Sequence, residues 1–194
     1  MKKATTMLNL PNYLTFIRIA SIPFFLVLLF SRLYGYALLV FLIGGITDAL
    51  DGPVARFTNQ RTRLGAYLDP LADKLLIISS LVVLTLIDGV PAWLTILVLS
   101  RDVIVTLGYG AIYFVVEERM EIQPSTLGKI NTFLLLLTIT IVLVSLYDPN
   151  MIPSPLPFYF FLLSAVTTII SGLQYVYRGL VWFQERAPSL PRLS

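Results

Sequence analysis

Six apolar stretches alternate with short polar or turn-forming segments along the chain. They run over roughly 13–31, 35–56, 69–88, 91–116, 128–147 and 156–182. Several approach or exceed the ~20 apolar residues that span a hydrocarbon core about 30 Å thick. The pattern predicts an all-α polytopic membrane protein with six transmembrane helices. No cluster of Gly, Ser and charge separates two halves, and no repeat is evident, so residues 1–194 are read as a single domain. Leu8, Leu10 and Leu14 stand among polar residues ahead of the first stretch. They suit a short interfacial segment or a loose lead-in. Met1 to Thr6 is too short to precede the first span as a cleavable presequence.

Composition sharpens this reading. Hydrophobic residues make up 57% of the chain and charged residues 13%, about half the usual share. The net charge of +3 does not suggest nucleic-acid binding. The absence of cysteine removes disulfides, thiolate metal sites and cysteine nucleophiles. Histidine is absent too, so a general base has to be a carboxylate, Lys or Tyr, and a metal site has to use oxygen ligands.

Loop charge predicts the orientation. Lys2, Lys3, Arg56, Arg61, Arg63, Arg119, Lys129, Arg178, Arg186 and Arg192 fall at one set of helix ends, whereas the opposite loops hold only Arg32. The positive-inside rule then places both termini and the 57–68 loop in the cytoplasm.

The chemistry concentrates in Asp48-Ala49-Leu50-Asp51-Gly52-Pro53-Val54-Ala55-Arg56 and Gly65-Ala66-Tyr67-Leu68-Asp69-Pro70-Leu71-Ala72-Asp73-Lys74. Asp48 and Asp51 are spaced i, i+3, and Asp69 and Asp73 i, i+4, so each pair shares a helix face. Pro70 suits the first turn of the second helix. The short connection brings the two pairs to one membrane surface. One Asp at a span centre costs roughly 2.5–3.5 kcal/mol on insertion scales, and four together repel one another. Divalent cations relieve both costs, and oxygen donors favour Mg²⁺, Mn²⁺ or Ca²⁺. Two such ions would suit phosphoryl chemistry. Gly52 and Gly65 permit close approach of a ligand or of a neighbouring helix. Arg56 and Arg63 suit phosphate oxygens, or snorkelling at the interface.

The series D-x2-D-G-x2-A-R-x8-G-x3-D-x3-D is filled by Asp48, Asp51, Gly52, Ala55, Arg56, Gly65, Asp69 and Asp73. It resembles the signature of the CDP-alcohol phosphatidyltransferases. The likeness extends to Leu10-Pro11-Asn12-Tyr13-Leu14-Thr15 with Arg18, to Ser100-Arg101-Asp102 and to Gly128-Lys129-Ile130-Asn131-Thr132. The resemblance implies six membrane helices, a homodimer and a site at the cytoplasmic surface. It implies that Asp48, Asp51, Asp69 and Asp73 ligate two ions, Mg²⁺ or Mn²⁺, with Asp73 also the general base. Pro11, Asn12, Thr15, Gly52, Ala55, Arg56, Thr62 and Gly65 would line the CDP-diacylglycerol site. The phosphatidyl group would pass to an acceptor hydroxyl with release of CMP.

The acceptor is read from residues outside the signature. Glycerol 3-phosphate enzymes of this family usually carry Arg-Glu after span three, then a Leu-Arg pair; here stand Arg101-Asp102 and Leu107-Gly108-Tyr109. The resemblance in Ser100-Arg101-Asp102, in Lys129 to Thr132 and in the Ala165 to Tyr177 region favours the cardiolipin synthases, which accept phosphatidylglycerol. Arg101 and Lys129 would then attend the acceptor phosphate, with Asp102 a partner for Arg101. Two other classes compete. An ion-coupled transporter would place its charges near the bilayer midplane on repeated broken helices, and a scaffold would not need four carboxylates in this register. Trp93, Tyr147, Tyr159, Tyr175, Tyr177 and Trp182 read as interface anchors.

Overall fold

The computed structural model describes residues 10–57, 63–116 and 125–186, with side chains described for 16–47, 71–108, 110 and 125–184. These residues form six α-helices: α1 (Leu10–Phe30), α2 (Tyr34–Phe57), α3 (Arg63–Leu86), α4 (Ala92–Val116), α5 (Thr126–Tyr147) and α6 (Leu156–Arg186). No strand occurs among the described residues. The all-α expectation holds, with most boundaries close to those read from the apolar pattern. The main departure is α3, which begins at Arg63 rather than near Asp69. Pro70 therefore lies inside α3 and not in its first turn, and Gly65 lies in α3 and not in a loop. The apolar pattern missed this start because Arg63-Leu64-Gly65-Ala66-Tyr67 reads as loop on hydropathy, although its backbone is helical. Within the N-terminal lead-in, Leu10 and Leu14 belong to α1, and Leu8 lies outside the described residues.

The helices gather into two compact units. One comprises residues 1–90 and 139–154, the other 91–138 and 155–194. In the first, α1 packs against both α2 and α3. Its buried residues recur at helical spacing: Ile22, Phe25 and Leu29 on α1, Ala37 and Phe41 on α2, and Leu76, Ile77, Leu81 and Leu84 on α3. The Phe25 and Phe41 rings meet at 5.6 Å between centroids, joining α1 to α2.

Two helices of this unit end in the same way. At the end of α1, Leu33 N–H donates to Leu28 C=O (2.9 Å) and Arg32 N–H to Leu29 C=O (3.1 Å). At the end of α3, Gly89 N–H donates to Leu84 C=O (2.8 Å) and Asp88 N–H to Thr85 C=O (3.2 Å). These are Schellman caps, whose left-handed residue is usually glycine. Here it is Arg32 in one and Asp88 in the other, each with φ 60°. Asp tolerates this conformation through its short polar side chain. Arg has no such compensation, and the left-handed backbone costs it roughly 1–2 kcal/mol.

In the second unit α4 packs on α6. Leu94 and Val98 of α4 are buried, with Leu135 of α5 and Phe161 and Ala165 of α6. Ser125 caps α5, its Oγ accepting from Gly128 N–H at 3.0 Å. A set of polar residues of this unit points inward: Asn131, Thr138, Ser164, Thr168 and Ser171 are buried, while Leu163, Val166, Ile169, Ile170 and Leu173 are exposed. Among the described residues, two helices are long and apolar enough to cross a membrane, Thr126–Tyr147 and Leu156–Gln184.

Candidate active site

The signature aspartates fall on two helices of the first unit. Asp48 and Asp51 lie in the C-terminal half of α2, and Asp69 and Asp73 in the N-terminal half of α3. Both helices pack on α1. The side chains of Asp48, Asp51 and Asp69 lie outside the described residues, as do those of Pro11, Asn12, Thr15, Ala55 and Arg56 and the surroundings of Gly52 and Gly65; Thr62 lies outside them altogether. Among the described residues no three acidic side chains converge.

Asp73 is described, and its surroundings add a residue to the picture. Arg18 Nη1 on α1 lies 3.5 Å from Asp73 Oδ1. The Arg18 side chain is 2% exposed and that of Asp73 37%. A guanidinium removed from water needs a nearby anion, and Asp73 supplies one while keeping part of its carboxylate at the surface. The separation is long for a strong hydrogen bond, so the contact acts through charge. In the sequence, Arg18 stands out only as part of the N-terminal resemblance. Its helical register, with Ile22, Phe25 and Leu29 buried at later turns of α1, is the signal that it faces inward.

The second unit gathers the other expected residues. Arg101 on α4 donates from Nη1 to Asp102 Oδ1 at 2.6 Å and from Nη2 to Ser171 Oγ on α6 at 2.6 Å. Its guanidinium carbon lies 5.2 Å from the centre of the Tyr175 ring, within cation–π range. Asp102 is thus the partner of Arg101, and both side chains are 15% exposed. Lys129 is exposed in the first turn of α5.

Tyr175 joins these two regions. Its hydroxyl accepts from Ser125 N–H at 3.3 Å, at the cap of the helix that carries Lys129. A Cβ at Gly128 would come within 2.8 Å of that hydroxyl, so a larger residue there would push the tyrosine aside. A Cβ at Gly172 would lie 3.1 Å from Arg101 Cγ, so Gly172 gives the arginine stem room beside α6. Tyr175, half-buried, therefore packs on Arg101 and on the cap of α5 within this unit.

The polar seam on α6 continues the pattern. Thr138 and Ser164 share a hydrogen bond at 2.8 Å, and Asn131 Oδ1 accepts from Thr167 and Thr168 at 2.9 Å each. Ser164, Thr168, Ser171 and Tyr175 recur at alternating steps of four and three, which places them on one helix face. That spacing inside an apolar helix is a legible signal of an inward face, and hydropathy alone passes over it.

A profile of the family described as CDP-alcohol phosphatidyltransferase matches residues 8–171, across both units. The chain is 34% identical over 180 residues to a probable phosphatidylglycerophosphate synthase of Mycobacterium tuberculosis, covering 89% of this chain and 82% of that one. It is 30% identical over 184 residues to a CDP-diacylglycerol–glycerol-3-phosphate 3-phosphatidyltransferase of Bacillus subtilis, covering 87% and 94%. It is 37% identical over 147 residues to a cardiolipin synthase (CMP-forming) of Streptomyces coelicolor, covering 71% and 66%. The unbroken aspartate signature and the extent of these matches agree, and the chain belongs to the CDP-alcohol phosphatidyltransferase family.

Proposed function

We propose that this protein transfers a phosphatidyl group from CDP-diacylglycerol to a glycerol-type acceptor, with phosphatidylglycerol the acceptor and cardiolipin the product. The observation that carries the acceptor choice is the 2.6 Å pairing of Arg101 with Asp102. A phosphate monoester dianion needs concentrated positive charge. Arg101 shares its charge with Asp102, which leaves Lys129 as the exposed cation of the two and suits a phosphodiester monoanion better. The apolar exposed residues of α5 and α6 in the second unit, including Ile130, Phe133, Leu163 and Val166, suit lateral entry of a lipid acceptor. A second reading, glycerol 3-phosphate as acceptor, is supported by the relatives of that name that match over most of both chains.

In this reading Asp73 accepts the proton of the acceptor hydroxyl. The freed oxygen attacks the lipid-bearing phosphorus, the bond from phosphorus to the CMP oxygen breaks, and CMP departs. Asp48, Asp51, Asp69 and Asp73 would hold two divalent cations, Mg²⁺ or Mn²⁺. Their fit rests on an all-oxygen donor set and on the partly exposed carboxylate of Asp73. When bound, the ions supply charge neutralisation for the diphosphate. Pro11, Asn12, Thr15, Gly52, Ala55, Arg56, Thr62 and Gly65 would line the CDP-lipid site, and Arg18 would hold the Asp73 carboxylate in place.

All six helices would span a bilayer, with both termini and the reaction site cytoplasmic, in one domain that forms a homodimer. The inward polar and outward apolar residues of α6 support the bilayer placement, since lipid is the solvent that such a surface matches. The deciding experiment measures CMP release by purified protein with CDP-diacylglycerol and each acceptor in turn. Release with phosphatidylglycerol but not glycerol 3-phosphate is expected, and the reverse overturns the acceptor choice.

A further inference from the structure

We infer that the groove at the α1–α2 turn binds an anionic membrane phospholipid through its phosphodiester, at a site separate from the proposed reaction site. The groove has a volume of about 580 Å³ and is lined by Arg32, Leu33, Tyr34, Gly35, Leu39 and Tyr147, among others. It lies within the first unit, beyond the far end of α1 from Arg18, about 20 Å away at the helical rise per residue. This inference rests on the reading that α1 and α2 span a bilayer.

Three observations point to the ligand. Arg32 is the cation of the groove, and it has no carboxylate or hydrogen-bond partner for its side chain among the described residues. Asp148, beside Tyr147, instead accepts from the backbone and side chain of Asn150 at 2.9 and 3.2 Å. The cation also occupies the left-handed position of a Schellman cap, where glycine carries less strain. An exposed arginine in a strained position, unpaired among the described residues, is accounted for if its side chain binds a ligand. Finally, the walls are amphipathic. Gly35 leaves room for the Tyr147 ring, which a Cβ there would meet at 2.8 Å, and exposed Leu33, Tyr36 and Leu39 extend the apolar surface. A small soluble anion would cover Arg32 alone. A zwitterionic lipid would bring an ammonium towards the guanidinium. An anionic phospholipid matches both the charge and the apolar walls.

The test places a reporter in the groove. Tyr36→Trp is made in a background of Trp93→Phe and Trp182→Phe, and the protein is placed in nanodiscs of phosphatidylcholine with a minor fraction of phosphatidylglycerol. Quenching is compared when either lipid carries brominated chains. Per mole of lipid, brominated phosphatidylglycerol is expected to quench about fivefold more effectively, the preference one cation gives near an anionic lipid. Arg32→Gln should abolish the preference and Arg32→Lys keep most of it. Arg32→Gly should abolish it while raising the thermal midpoint, which separates the side chain's role from the backbone's. Equal quenching by the two lipids, or a preference that survives Arg32→Gln, overturns the site. Absence of quenching by both overturns it through the bilayer placement. CMP release by Arg32→Gln, expected at the parent level, reports separately on the proposed reaction.

Discussion

Arg18 Nη1 and Asp73 Oδ1 lie 3.5 Å apart, a buried cation on α1 facing a partly exposed carboxylate on α3. The contact ties the proposed base to the interior of its unit. Arg18→Gln should lower turnover about 10²-fold, the scale of a misplacement near 1 Å, with little change in the KM for CDP-lipid. Arg18→Lys should restore part of that loss. The stability cost should stay below the roughly 3–5 kcal/mol of breaking a fully buried pair, because water still reaches Asp73. Steady-state kinetics and thermal unfolding of the two variants check this, and an equal loss in both variants would remove charge as the cause.

Asp73→Asn should keep CDP-lipid binding and lose about 10²–10⁴-fold in turnover, the range for a general base. Binding is read by equilibrium titration with CDP-diacylglycerol, turnover by CMP release. Near-parent turnover would dismiss Asp73 as the base.

Exhaustive chelation should abolish CMP release, and Mg²⁺ or Mn²⁺ should restore it. In the proposed site, four carboxylates brought together would repel one another without cations. Activity that persists in chelated protein would sink the metal role.

Asp102→Asn should free Arg101 to bind more negative charge. Use of glycerol 3-phosphate should then rise about tenfold relative to phosphatidylglycerol, near the low end for a hydrogen bond to a charged group. Competition between the two acceptors in one reaction measures the ratio directly. An unchanged ratio would detach the acceptor choice from the Arg101–Asp102 pair.

Gly128→Ala should destabilise by about 1–3 kcal/mol through overpacking against the Tyr175 hydroxyl. Tyr175→Phe removes that oxygen, so the double variant should recover part of the loss. Thermal or denaturant unfolding of the single and double variants gives the coupling, and simple additivity would argue that the two residues do not meet.

The all-α class and five of the six helix starts were legible along the chain, because long apolar runs between turn residues leave few alternatives. The start of α3 was not legible, since hydropathy marks burial or lipid contact and a helix can begin in polar residues. The aspartate spacing also marked shared helix faces without any fold, since i, i+3 and i, i+4 intervals fix them locally, and the resemblance of the whole signature pointed to the family. Arg18 beside Asp73, Ser171 beside Arg101 and Tyr175 at the cap of α5 are different in kind. They join residues 55, 70 and 50 positions apart, and such contacts depend on how helices pack and not on local periodicity. The sequence by itself determined the helices and the chemistry they can carry. Only the tertiary structure decided what surrounds those charges, Arg18 beside Asp73 and Ser171 and Tyr175 beside Arg101, because these contacts require side chains from distant helices to meet, whereas the Arg101–Asp102 pair joins sequence neighbours.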